Sequence, residues 1–401
     1  MSDKDKSVKK SPNSPNYFPK LRFPEFVENW ESNKLGDVSN NIMYGMNAAA
    51  TNYDGENKYI RITDIDESTR LFNPNPLCSP KGNLESKYLL NEGDVLFTRT
   101  GASVGKSYLY NKNDGNVFFA GFLIRFNIKN NNPYFIFSQT LTYEYEKWVL
   151  SMSMRSGQPG INAEEYKSLP IHITTIEEQN KIANFLFLLD SRIECSMKTI
   201  QNLESLMNGV RAKIFNDNDL FLGNKKLQEI GTFFSGGTPL TSNKNYYEGT
   251  IPFIKSGEIN SQSTEQFISL EGLKNSSAKL VEKGDVLIAL YGATSGEVGV
   301  SKISGAINQA ILCIRTEYNP VFIVNYLKFK KEEILKTFLQ GGQGNLSADI
   351  IKSISIPIPE GEKQKLIVQL FSNLEKKLEI ETQILGKLNL QKKFFLQNLF
   401  V

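Results

Sequence analysis

The sequence predicts an α+β protein built as two copies of one unit, each a β-rich part followed by a long helix. Three observations predict it. Gly93-Asp94-Val95-Leu96 recurs as Gly284-Asp285-Val286-Leu287, an offset of 191 residues. Glu178-Gln179-Asn180-Lys181-Ile182 is matched by Lys363-Gln364-Lys365-Leu366-Ile367 at an offset of 185. The matches run in the same order, and a few loop deletions account for the drift. Third, each copy closes on a Pro-free stretch of helical periodicity, residues 177–215 and 362–400. Solenoid and propeller repeats reach about 50 residues at most, so this is a tandem duplication of a whole domain plus a helix. Such a chain presents two similar binding faces.

The mixed parts open near Trp30-Glu31 and Lys226-Leu227. Short β-rich runs follow in pairs, Tyr59–Ile62 with Ile251–Ile254 and Val95–Phe97 with Val286–Ile288, separated by Gly, Asn, Ser and Pro clusters. One helix then starts in each copy at Asn132-Pro133 and Asn319-Pro320, where Asn caps and Pro occupies the first helical position. Gly/Gln loops close those helices, Ser156–Gly160 and Gly341–Gly344. In the long helices, Ile182, Leu186, Leu189, Ile193, Ile200 and Leu203, and Ile367, Leu370, Leu374, Leu378, Leu385 and Leu388, keep a mostly 3/4 spacing. That is a coiled-coil seam. A lone helix of this length needs a partner to bury the stripe, and the natural partner is the other copy's helix. Gaps in the seam also match, Ser196 aligning with Glu381.

Composition narrows the class. The 401 residues suffice for two to four domains, each with chain enough for a core. Hydrophobic content of 40% and charged content of 22% are those of an ordinary soluble protein. A net charge of +3 permits a polyanionic partner without demanding one. Cys78, Cys195 and Cys313 are far apart, with no CxxC, so neither a disulfide framework nor a zinc site is expected and a reducing cytoplasm fits. No apolar run reaches the ~18 residues of a membrane span. The first residues are Lys/Ser/Asn/Pro-rich, read as a disordered tail over 1–17 and not as a signal peptide.

Tempting catalytic motifs fail inspection. Gly101-Ala102-Ser103-Val104-Gly105-Lys106-Ser107 has three residues between its glycines where a phosphate-cradling P-loop needs four. Its counterpart Gly292–Val298 carries Glu297 where the lysine belongs. Asn132-Pro133-Tyr134-Phe135 lacks the second proline of an amino-methyltransferase loop, and Asn319-Pro320-Val321-Phe322 loses the aromatic too. No Gly-x-Gly-x-x-Gly follows a strand, so no dinucleotide pocket is signalled. His172 is the only histidine, which leaves little room for a Ser/His/Asp triad or a His-rich metal site. No catalytic, cofactor-binding or metal residue is assigned.

Positive charge with aromatic and amide neighbours falls on loop-like segments. Arg99 and Lys106 flank the first Gly-rich turn, and Arg61, Lys255 and Lys302 sit beside strand ends. Tyr44, Tyr291, Gln158 and Gln343 add planar and amide groups. Arg and Lys neutralise phosphates, and Arg, Gln and Asn read base edges. These nine residues are the candidate DNA contacts, against the alternative that they are solvated surface groups.

The order of these features resembles the specificity (S) subunit of Type I restriction-modification systems. The resemblance rests on Pro19–Phe26 with Trp30 and Lys34-Leu35-Gly36-Asp37-Val38, on Gly93–Leu96 before a Gly-rich turn, and on Asn308-Gln309-Ala310-Ile311 before a strand. Leu169-Pro170-Ile171 and Ile356-Pro357-Ile358-Pro359, each leading into a long helix, fit as well. One departure is Gly121-Phe122-Leu123 where the second copy has Asn308-Gln309-Ala310. The resemblance implies two target-recognition domains, 18–173 and 220–358, each reading half of a bipartite double-stranded DNA site. It implies helical spacers over 174–219 and 359–401 that pair antiparallel in a pseudo-two-fold arrangement. Two modification (M) subunits would bring S-adenosylmethionine and methylate adenine, and two restriction (R) subunits would bring ATP- and Mg-dependent translocation and cleavage. The chain itself would carry no cofactor and catalyse nothing. An orphan DNA-binding protein without catalytic partners is the alternative, and a scaffold that does not bind DNA a third.

Overall fold

A computed structural model describes residues 17–154, 158–339 and 346–401. Its internal contacts divide the chain into two units, Met1–Cys195 with Leu385–Val401, and Ser196–Ile384. Each long helix therefore gives part of its length to each unit.

The first unit is centred on an antiparallel sheet with strand order Ser39–Tyr44, Leu123–Ile128, Asp94–Thr98, Ser107–Leu109. The second repeats it as Gly231–Ser235, Ile311–Thr316, Val286–Ala289, Val298–Val300. The Gly-Asp-Val-Leu runs are the buried centre of these sheets. Side chains alternate along a strand, so Val95 and Phe97 enter one core with Phe126, Phe135, Tyr166 and Ile182, while Leu96 enters another with Ile60 and Phe119. Val286 and Ile288 likewise pack with Phe322 and Phe371, and Leu287 and Ala289 with Ile254 and Ile307. Strands buried on both faces read as unbroken apolar runs. The Gly-Asp pair makes the preceding turn. Gly93 and Gly284 have φ of +85° and +104°, a region that favours glycine. Asp94 and Asp285 close the turn by accepting the amides of Asn91 and Glu282, each at 2.8 Å. A short parallel pair recurs in both units, Lys58–Ile60 with Val117–Phe119 and Ile251–Ile254 with Gly305–Ile307.

The helix starts are as expected. Asn132 accepts the Phe135 amide at 3.0 Å, and Asn319 that of Val321 at 3.0 Å. The expectation of one helix per copy needs correction. From Asn319 the second copy continues as one helix, Pro320–Leu339, but from Asn132 the first breaks into two, Pro133–Gln139 and Tyr143–Ser153. Thr140 and Thr142 donate to the carbonyls of Phe137 and Gln139 at 2.7 and 2.8 Å, and Thr142 then caps the Tyr145 amide. Side-chain oxygens that compete for backbone groups end a helix. The matching Leu327 and Phe329 have none.

The long helices run Ile176–Phe215 and Gly361–Asn398, about 60 and 57 Å at ~1.5 Å per residue. In the first unit Phe185 meets Phe395 edge-on at 4.7 Å and Asp190 pairs with Lys392 at 2.7 Å. In the second, Phe215 meets Phe371 at 6.2 Å and Ser196 faces Glu381 at 3.5 Å. Rising numbers on one helix meet falling numbers on the other, so the pairing is antiparallel within each unit. Ser196 and Glu381, equivalent by the repeat, face each other, as two equivalent antiparallel helices require. Of the seam, Ile182, Leu186, Ile193, Leu203 and Ile367 are buried, and Leu189, Ile200, Leu374, Leu378, Leu385 and Leu388 half-buried. Leu370 is a correction: it is 42% exposed, while Phe371 beside it is 0% exposed. Both positions keep helical spacing from Ile367. The ring of Phe371 wins because Phe215 lies against it and the Arg211 guanidinium sits 5.9 Å from its centre.

The assigned tail over 1–17 needs one adjustment. Residues 1–16 lie outside the described residues, but Tyr17 bridges to Trp30, donates its amide to Asn29 at 2.7 Å and packs on His172 at 4.7 Å. The segment from Tyr17 to Trp30 also clasps the long helices. Arg22 makes two 2.7 Å bonds to the buried Glu178, Trp30 Nε1 donates to the same carboxylate at 3.2 Å, and the Leu21 amide donates to the Asn398 carbonyl at 2.8 Å.

Candidate functional site

In both units the turn after the central strand is held by the same backbone bonds. Gly105 N–H donates to Thr98 and Ile161 N–H to Arg99, at 3.2 and 2.9 Å. Gly296 N–H donates to Ala289 and Leu346 N–H to Leu290, at 2.8 and 2.9 Å. This scaffold gathers the ends of three strands. A Cβ on Gly45 would stand 2.2 Å from the Ala120 carbonyl oxygen, and one on Gly236 would stand 1.8 Å from that of Ile307. Only glycine lets the chain cross there in either copy.

The first sheet end brings together three of the sequence candidates. The Arg99 guanidinium lies 4.8 Å from the centre of the Tyr44 ring, within cation–π range. Tyr44 Oη accepts the Ala163 amide at 3.0 Å, which fixes the ring. Gln158 borders Gly101, with Nε2 placed 3.1 Å from where a Cβ would be. Phe122, 58% exposed, completes the group, its carbonyl accepting the Arg99 amide at 3.1 Å. Sequence reasoning left Phe122 out of the candidates, although Gly121-Phe122 stood out as the place where the copies differ. The backbone bonds also shift that comparison by one residue. Arg99 N–H to Phe122 and Leu290 N–H to Ala310 make Ala310, not Gln309, the partner of Phe122.

On the second sheet end the same backbone positions carry Ser235, Leu290 and Ala310 in place of Tyr44, Arg99 and Phe122. The polar groups there include Tyr291, half-buried, its hydroxyl pushed above its ordinary pKa by burial, and a Thr238–Gln309 pair joined at 2.7 Å. Gln343 lies outside the described residues.

Three other candidates have side chains engaged elsewhere, and a fourth, Lys255, holds a turn through its backbone amide. Arg61 makes two bonds to Asp64, at 2.8 and 2.7 Å. Lys255 occupies the equivalent strand end, where Glu258 accepts its amide at 3.0 Å as Asp64 accepts that of Arg61 at 2.9 Å. Both positions serve first to start a turn. A basic residue followed three places on by an acid was the available signal. Lys106 is ion-paired with Glu67. Lys302 pairs with Glu379 of the second long helix at 3.0 Å, beside Gln262 at 2.7 Å, and so ties the β-rich part to the helix. His172 is half-buried, with its backbone amide and carbonyl held by Gln139 at 2.8 Å each. Among the described residues no group of His, Cys, Asp and Glu could hold a metal ion, and no helix is long and apolar enough to cross a membrane.

Two similar sheet ends with different side chains, on a duplicated domain-plus-helix plan, define a two-domain repeat protein. Residues 27–205 and 223–390 both match the family model for the Type I restriction modification DNA specificity domain, and the chain belongs to that family. It is a specificity subunit, non-catalytic, with two DNA-recognition domains. The chain is 24% identical over 400 residues to the putative type I restriction enzyme MjaX specificity subunit of Methanocaldococcus jannaschii, covering 91% of each. It is 22% identical over 442 residues to the HindI specificity subunit of Haemophilus influenzae, covering 86% of this chain and 94% of that one. The crystal structure of the S subunit from M. genitalium has the same fold, with a TM-score of 0.67 at 18% identity over 96% of this chain and 99% of that chain. A chain from work on complex assembly and conformational transition of the type I R-M system aligns with a TM-score of 0.53 at 18% identity, over 92% and 96%.

Proposed function

We propose that each copy reads one half of a bipartite DNA site through the sheet end described above, and that the paired helices set the gap between the halves. One observation carries this reading: the same backbone presents Tyr44, Arg99 and Phe122 in one copy and Ser235, Leu290 and Ala310 in the other. Equal frames with unequal side chains suit two unrelated half-sites. Arg99 and Gln158 have the donors to read base edges or phosphates, and the exposed rings of Tyr44 and Phe122 offer stacking faces. The second domain works through Tyr291, Thr238 and Gln309.

The helices take a second role in this reading. Phe187, Leu188, Leu390 and Phe394 in the first unit, and Met197, Leu206, Leu366, Leu370 and Ile380 in the second, are exposed. Two such apolar sets match docking of two methyltransferase subunits, with two restriction subunits joining that core in the cytoplasm. S-adenosylmethionine, ATP and Mg belong to those partners. The orphan alternative gives up the partners and leaves the apolar sets uncovered.

The test is a domain exchange. Replacing residues 223–356 with the same region of a relative should change one half of the methylated sequence only, as read by mapping methylation genome-wide. A change in both halves contradicts one reader per half-site.

A further inference from the structure

We propose that Glu67 is a built-in stand-in for a DNA phosphate, holding Lys106 and Arg70 together until the phosphate displaces it; this rests on the DNA-recognition reading above. The carboxylate spans two cations. Its Oε2 pairs with Lys106, and its Oε1 lies 3.9 Å from Arg70 Nη1. One carboxylate with an oxygen toward each of two cations has the charge and the spread of a phosphate's two free oxygens. The exposures are unequal in the direction a displaceable group needs. Glu67 is 73% exposed, whereas the side chains of Lys106 and Arg70 are 14% and 20% exposed. The cations are part of the surface and the anion lies over them.

Two features of Arg70 go beyond a casual surface pair. Its Nη1 is shielded from solvent yet makes no hydrogen bond, a state that native structures rarely leave without use. Its φ is +60°, in the left-handed region where a bulky side chain is uncommon and which tends to be retained where function needs it. The turn holding it is rigid. Asp66 accepts the amides of Ser68 and Thr69 at 3.0 and 2.8 Å, and the Arg70 amide donates to the Asp66 carbonyl at 3.1 Å. Lys106 ends the Gly-rich turn that begins beside Arg99, so the displaced site would continue the reading surface of the first domain. Among the described residues the second domain carries no such device. At the place of Lys106 it has Glu297, paired with Lys331 at 2.5 Å.

The experiment uses the full chain assembled with methyltransferase subunits. The probes are a duplex carrying the mapped target and a duplex with its half-sites scrambled. Glu67→Gln should tighten binding to the target roughly 2- to 5-fold at low salt, the scale of releasing an exposed ion pair. Lys106→Gln should weaken binding and reduce the salt slope by about one. The double variant should bind no more tightly than Lys106→Gln alone. Unchanged or weaker binding by Glu67→Gln, with its melting temperature intact, overturns the proposal. If Glu67→Gln lowers the melting temperature, Glu67→Asp, which keeps the charge on a shorter arm, must fall between native and Gln in affinity; failure of that order overturns it too. Selectivity of the native complex for the target over the scrambled duplex tests the DNA reading separately, since it does not depend on Glu67.

Discussion

Arg99 and Lys106 flank one turn and carry one charge, but the fold gives them different work. Among the described residues the Arg99 guanidinium meets the Tyr44 ring, while Lys106 meets Glu67. Arg99→Ala should therefore weaken target binding directly. If Arg99 touches a phosphate, the salt slope of the assembled complex drops by about one; an unchanged slope together with relaxed choice at one base position marks it as a base reader instead. The repeated aspartates differ as well. Burial pushes the Asp94 carboxyl up, against the Asn91 amide and Asn127. At Asp285 burial acts the same way but is outweighed by Arg315, bonded at 3.1 and 2.7 Å, and by the Glu282 amide, so its carboxyl sits below its ordinary pKa. A lowered folded-state pKa means stability that is present above the unfolded value of about 3.9 and lost as pH falls through the folded one. Asp285→Asn should thus lower the melting temperature at pH 7, and the difference from the native chain should shrink below about pH 4. A difference that persists undiminished in acid would assign the effect to the turn bond alone.

The helix pair is held by a narrow apolar strip with a few polar ties. Phe371 sits among Phe215, Ile367 and the Arg211 guanidinium, and Arg211 in turn bonds Asn325 at 2.8 Å. Ile193 and Phe371 are both buried. Ile193→Asp or Phe371→Asp would place an unpaired charge in that strip at a cost of several kcal/mol, with loss of methyltransferase assembly or of soluble protein. Leu370→Asp should be tolerated for folding, because Leu370 faces out, and should fail in partner docking if its face is the docking face. Co-purification with the methyltransferase subunit separates the two outcomes.

For the chain as a whole, address and spacing should be separable. Adding four residues to both long helices lengthens each by ~6 Å, about two base-pair steps of ~3.4 Å. The methylated half-sites should keep their bases and change their gap. An insertion that altered the bases and left the gap would contradict a ruler made of these helices.

The duplication, the two long helices, the Asn caps of the helices that begin at Pro133 and Pro320, and the absence of catalytic motifs were all legible in the linear sequence. Each depends on residues a few places apart or on an order kept twice, and local hydrogen bonding and helical periodicity act over that range. The site was legible only in part. Which cations remain available is decided by acids remote in the chain, as Lys302 is held by Glu379, 77 residues away. Whether Leu370 or Phe371 enters the seam depends on what the facing helix presents, since helical spacing admits both. Arg99, Tyr44 and Phe122 lie on three different strands or turns, and only sheet pairing makes them one surface. Local sequence sets which conformations are cheap. Tertiary packing decides which charges find partners, because an ion pair or a buried ring needs a second surface that the local sequence does not contain.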